Sequence, residues 1–138
     1  MSITITKRLE IDAGHRLLKH ESKCRNVHGH RYIFDFTVAS KEGLDSVGRI
    51  VDFSVIKEKL GGWLDANWDH AMIVQEGDPL IDWLKAHEQK FYSVPFSPTA
   101  ENLVEYMAKV ASELIRDWLE VIEVVCYETP TSKAVWKR

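Results

Sequence analysis

The chain of 138 residues is about the length of one domain, and 45% hydrophobic with 28% charged residues is the make-up of an ordinary globular protein, not a disordered one. A chain of this size buries roughly two-thirds of its unfolded surface, so a bound metal is expected to serve chemistry and not to staple the fold. Eighteen Lys and Arg against 21 Asp and Glu leave a net charge of -3 with no basic block, which speaks against nucleic acid or an anionic membrane as partner and leaves small molecules.

The N-terminal stretch lacks the charged-then-apolar pattern of a secretory signal, and no apolar run approaches bilayer length. A cytoplasmic location is expected, where reducing conditions disfavour a disulfide between Cys24 and Cys126.

Residues 2–12 keep Ile3, Ile5, Leu9 and Ile11 at odd positions, the alternation of a half-buried strand. A second strand follows from Arg31 to Ala39, where Tyr32, Phe34, Phe36 and Val38 are all apolar. Asp52 is a good N-cap for a helix carrying Phe53, Ile56, Leu60, Trp63 and Leu64, with Gly61 and Gly62 weakening its last turn. Asp78 and Pro79 read as N-cap and first residue of a short helix with Leu80, Ile81, Trp83 and Leu84, and Phe91, Tyr92 and Val94 as a small strand. A long amphipathic helix starts near Ser97–Thr99 and runs through Leu103, Tyr106, Met107, Val110, Ala111, Leu114, Ile115 and Trp118. Residues 121–127 and 132–136 read as two closing strands around Pro130. This order predicts a single α+β domain over 1–138, an antiparallel sheet with helices on one face.

His28-Gly29-His30 stands at the entrance to the second strand, where residues two apart point the same way. Strand pairing would bring His15 alongside, and three imidazoles with a fourth position open make a catalytic zinc site. A polar turn is the plain alternative. Cys24, between Lys23 and Arg25, reads as a thiolate base or nucleophile, with a fourth zinc ligand or a small buried residue as the other readings. Cys126 lies in an apolar strand and reads as core. Asp69-His70 offers a carboxylate to orient an imidazole, against a helix-ending polar pair. Glu128 shares the parity of Ile122, Val124 and Cys126, so it either faces inward onto a ligand or sits solvated at a strand end. His20 and His87 read as surface.

His15 in Ala13-Gly14-His15, Cys24 with His28-Gly29-His30, Asp52-Phe53, Asp69-His70, Pro98-Thr99-Ala100-Glu101-Asn102 and Tyr127-Glu128-Thr129, in that order, resemble the 6-pyruvoyltetrahydropterin and 6-carboxytetrahydropterin synthase family. The resemblance implies the tunnelling fold, in which subunits join their sheets into a β-barrel, commonly as a homohexamer with active sites between subunits. It implies zinc on His15, His28 and His30, Cys24 as the proton-abstracting base and Asp69 with His70 as a relay. It further implies that Glu128 anchors the pterin's amino-pyrimidine edge while Thr99 and Glu101 line or support the pocket. Three residues between Cys24 and His28 look like the carboxy-forming branch. That branch turns 7,8-dihydroneopterin triphosphate into 6-carboxy-5,6,7,8-tetrahydropterin, acetaldehyde and triphosphate on the way to queuosine and related 7-deazaguanines. The pyruvoyl-forming activity and a non-catalytic pterin-binding module are the alternatives. Lys23, Arg25 and Lys133 are candidates for the triphosphate. The chain departs from the family at Trp68, where Leu is usual, in its longer stretch from Ala71 to Ser97, and in the residues after Thr129.

Overall fold

A computed structural model describes residues 2–138. In chain order its elements are β1 (Ile5–His15), a single 3-10 turn (Lys23–Arg25), β2 (His28–Ser40), α1 (Phe53–Ile56), a π segment (Lys57–Gly61), α2 (Gly62–Asn67), β3 (Ala71–Gln75), α3 (Leu80–Ala86), β4 (Phe91–Val94), α4 (Ala100–Leu114), β5 (Leu119–Thr129) and β6 (Ser132–Lys137). The strands form one sheet in the order β4-β3-β1-β2-β5-β6. β1, β2, β5 and β6 are antiparallel, whereas β3 joins β1 and β4 joins β3 in parallel. The α+β architecture stands as expected, and the sheet is mixed because of these two added strands. The sequence reading omitted β3, a five-residue run buried at Ala71, Ile73 and Val74. A parallel strand covered on both faces loses the alternation by which strands are recognised.

The even residues of β2 make the core. Tyr32, Phe34, Phe36 and Val38 have no exposed surface, and fully burying a side chain of this size stabilises by about 1.5–3 kcal/mol. They share one core with α4, which buries Leu103, Val104, Met107, Ala108 and Ala111. The Thr99 hydroxyl caps that helix by accepting from the Asn102 N–H at 3.2 Å. Trp118 falls beyond the helix and is exposed, and Phe53 is half exposed, so neither belongs to the expected core faces. Asp52 caps α1 through the Ser54 N–H as predicted. Gly61 and Gly62 do not end that helix. Gly61 closes the π segment, Gly62 opens α2, and α2 continues to Asn67.

Ile3 lies outside β1 and is exposed. Ile122 departs from the predicted row for a different reason. A bulge opposite Thr37 and Val38 places Val121 against Val38 and Val124 against Phe36, so Val121 takes the core position and Ile122 is displaced. The other face of the sheet carries pairs directly opposite one another: Thr6 with Thr37, Arg8 with Asp35 and Asp12 with Arg31. No helix among the described residues is long and apolar enough to cross a membrane.

Candidate active site

The antiparallel register sets His15 directly opposite His28 and Ala13 opposite His30, so three imidazoles gather where β1 ends and β2 begins. Their ligand atoms all lie within 4.8 Å of one another. Glycine at the intervening positions lets the strands close. A Cβ on Gly29 would come within 3.2 Å of the Ala13 carbonyl oxygen, and one on Gly14 would run into the Met72 sulfur.

The hydrogen bonds around the rings define what they can bind. His15 Nδ1 donates to the Pro98 carbonyl at 2.8 Å, and His28 Nδ1 donates to the Asn26 carbonyl at 2.7 Å. A carbonyl only accepts, so in each neutral ring Nδ1 carries the proton and Nε2 presents a lone pair. The two Nε2 atoms nevertheless stand 3.1 Å apart. His30 Nε2 is buried with no hydrogen-bond partner. Burial, together with His15 and His28, moves the His30 ring below its ordinary pKa, against the pull of Glu128. Glu128 Oε1 reaches 3.2 Å from His15 Nε2 and 3.4 Å from His30 Nε2. Acceptors therefore converge on one point with too few protons to separate them, and a cation satisfies all of them. Three ring nitrogens, two of them on rings whose other nitrogen donates to a main-chain carbonyl, fit a divalent metal.

Glu128 is aimed by a second irregularity. The β5–β6 register shifts between Tyr127 and Thr129, which makes Glu128 the extra residue of its strand. Its carboxyl is held below the usual range by the neighbouring His15 ring, with His30 and His28 beside it, against the opposing effect of burial. It lines a groove of about 440 Å³ between α4 and β6, together with Glu101, Glu105, Lys133 and Trp136. Thr99 is not among the residues of that groove, and its hydroxyl is engaged in the helix cap.

Cys24 sits half-buried on the 3-10 turn between Lys23 and Arg25. It is outside the metal-capable group, which among the described residues consists of the three histidines. Cys126 is fully buried, and burial pushes its thiol far above the ordinary range, as suits a core residue.

Asp69 and His70 do form a pair. His70 Nδ1 lies 2.9 Å from Asp69 Oδ2, a contact between sequence neighbours that the left-handed backbone of His70 (φ 57°) accompanies. The other carboxylate oxygen accepts from the Asp12 N–H at 3.0 Å. Partial burial works against ionisation of Asp69, but the bonds from Asp12 and His70 and the charge of Lys90 keep its pKa below the ordinary value. The His70 ring is three-quarters exposed. It opens onto a groove of about 540 Å³ lined by Asp12, Gly14, Gly29, His30, Arg31 and Lys90, while His15 and His30 meet Tyr32 of the core row edge-on.

The sequence reading missed the backbone carbonyls of Asn26 and Pro98, the Asp12 amide and Lys90, because no side-chain pattern marks a main-chain acceptor. It also missed the fork of Arg16 on Asp78. α3 begins at Leu80 with Pro79 at its N-cap, one residue later than expected, but the buried Asp78 carboxylate still accepts from the Leu80 N–H at 2.8 Å and ties the helix start to the residue after His15.

The fold and the metal-ready triad define a class that comparison makes specific. The family model for 6-pyruvoyl tetrahydropterin synthase matches residues 4–138, and the chain belongs to that family. A 6-carboxy-5,6,7,8-tetrahydropterin synthase of Rickettsia bellii is 43% identical over 107 residues, covering 76% of this chain and 77% of the relative. The crystal structure of an uncharacterised Wolinella succinogenes protein superimposes with a TM-score of 0.84 at 22% identity, over 99% of this chain and 98% of the other. The 6-pyruvoyl tetrahydropterin synthase of Caenorhabditis elegans gives 0.72 at 21%, over 99% and 95%. At these identities the two structures establish the fold alone, a tunnelling fold whose sheet is not closed within one chain.

Proposed function

We propose that this chain, acting as one domain over 1–138, is a zinc-dependent 6-carboxytetrahydropterin synthase. It converts 7,8-dihydroneopterin triphosphate into 6-carboxy-5,6,7,8-tetrahydropterin with release of acetaldehyde and triphosphate. The observation that carries the reading is the convergence of His15, His28 and His30 nitrogens with the Glu128 carboxylate at a single point. The relatives named for the carboxy-forming reaction support that branch over the pyruvoyl-forming one.

His15, His28 and His30 hold the metal. When bound, zinc supplies Lewis acidity that makes C–H bonds beside a coordinated hydroxyl more acidic. Glu128 accepts hydrogen bonds from the pterin's 2-amino group and adjacent ring N–H, a bidentate contact suited to a carboxylate. Glu101 and Lys133 line the same groove, and Lys133 is the cation we assign there to a phosphate oxygen. Thr99 supports the pocket by capping α4. Cys24, flanked by Lys23 and Arg25, removes a proton from the side chain at C6. His70, oriented by Asp69, returns one.

The sites are completed between copies of the chain in a homo-oligomer, which we take to be a hexamer. Two features support this. β1 pairs with β3 only through Ala13–His15, so residues 5–11 keep an outer edge that no strand of this chain pairs, and β6 ends the sheet with another. The His70 groove and the Glu128 groove share no lining residue, which agrees with a neighbouring copy bringing His70 to the pterin held on Glu128. Incubation with dihydroneopterin triphosphate and product identification by mass spectrometry tests the reading. A 6-pyruvoyl product would move the chain to the sister activity, and a bound but unchanged pterin would make it a binding module.

A further inference from the structure

We infer that Lys90 is a positioning residue for the Asp69–His70 pair, its ammonium group fastening the turn that presents the His70 ring. The inference rests on the relay role proposed above for that pair.

Lys90 Nζ donates to the Asp69 carbonyl at 2.6 Å and to the Asp65 carbonyl at 2.9 Å. Both acceptors belong to the end of α2 and the turn just after it, where carbonyl groups lack helical partners and carry partial negative charge. The next residue, His70, takes the left-handed conformation that an L side chain adopts only when its surroundings hold it there. Its own N–H donates to the Asp12 carbonyl at 2.6 Å, which fixes one side of the turn on β1. Lys90 fixes the other.

The lysine is itself anchored at both ends. Its main-chain carbonyl accepts from the Met72 N–H at 3.1 Å, so the side chain starts beside β3 and reaches back to α2. A solvated lysine keeps its rotamer freedom. One that meets two carbonyls from the same turn has given that freedom up for charge-assisted bonds. The Asp69 carboxylate is already engaged by the Asp12 amide and His70, so Lys90 acts on the backbone that carries the pair and not as a third member of it.

The test compares Lys90→Met, Lys90→Arg and His70→Ala in the zinc-loaded, assembled enzyme. Lys90→Met is expected to lower kcat about ten-fold with KM and metal content unchanged. Lys90→Arg, which keeps the charge and two or more donors, restores most of it. In nitrogen NMR the His70 ring of Lys90→Met loses the signature of an Nδ1–H bonded to a carboxylate, and Lys90→Arg retains it. Wild-type kcat and an unaltered His70 signal in Lys90→Met, with His70→Ala inactive, would overturn the inference and leave the relay intact. Full activity in His70→Ala would remove the relay role instead, and the NMR signal would still decide whether Lys90 holds the ring.

Discussion

The histidine triad and the Asp69–His70 pair are two clusters of titratable groups at one end of the sheet, built on opposite principles. The triad hangs on two long strands in continuous register, His15 is fully buried, and two of its rings are locked by main-chain carbonyls. The pair hangs on a single left-handed turn with its ring mostly in solvent. A metal centre demands ligands in place before any substrate arrives. A proton donor that works across an assembly interface gains from an exposed ring on a turn, which the incoming surface can cover.

The largest expected effect separates the two regions outright. His28→Ala should lose most of the bound metal, measured as zinc per chain. Cys24→Ala and His70→Ala should each keep the metal while turnover falls about a thousand-fold, the scale of a lost general acid or base. Loss of zinc in Cys24→Ala would make that thiol a ligand and erase the distinction.

Next in size is the support of the triad. Asp78→Ala leaves Arg16, the residue after His15, without its buried partner, and should destabilise the fold by about 3 kcal/mol in denaturant unfolding. The bond from Arg16, opposed by burial and aided by the Leu80 amide, lowers the folded pKa of Asp78. Its stabilisation is therefore complete above the ordinary carboxylate value of about 4 and is lost as pH falls through the lower folded value. The variant should flatten that acid limb of the stability curve.

Glu128→Gln should keep fold and metal but bind a non-reacting pterin such as neopterin more weakly by about 2 kcal/mol in calorimetric titration, since an amide offers one acceptor where the carboxylate offers two. Equal affinity would return Glu128 to an ordinary strand-end acid. The smallest effect belongs to Thr99→Ala, about 1 kcal/mol of stability for a lost helix cap. A much larger loss of pterin affinity in that variant would show that Thr99 touches the ligand directly.

The two regions also differed in how readily their sequences could be read. Alternation at Tyr32, Phe34, Phe36 and Val38 locates β2 and, by parity, the side that His28 and His30 share. The direction of Glu128 followed from parity as well, although two bulges, invisible in composition, shift Ile122 out of the row and aim Glu128. Neighbouring Asp69 and His70 offered no periodicity, and their contact depends on one backbone angle. β3 and the carbonyls behind His15 and His28 come from tertiary pairing, where main-chain atoms act without regard to residue type.

The triad and Glu128 are proposed as the zinc and pterin site of a carboxy-forming synthase. Mass spectrometry of the products from dihydroneopterin triphosphate, with zinc-loaded wild-type protein beside His28→Ala, tests this assignment most directly. The wild type is expected to give 6-carboxy-5,6,7,8-tetrahydropterin with acetaldehyde, and His28→Ala to leave the substrate unchanged. Unchanged substrate with both, or equal product from both, would contradict it.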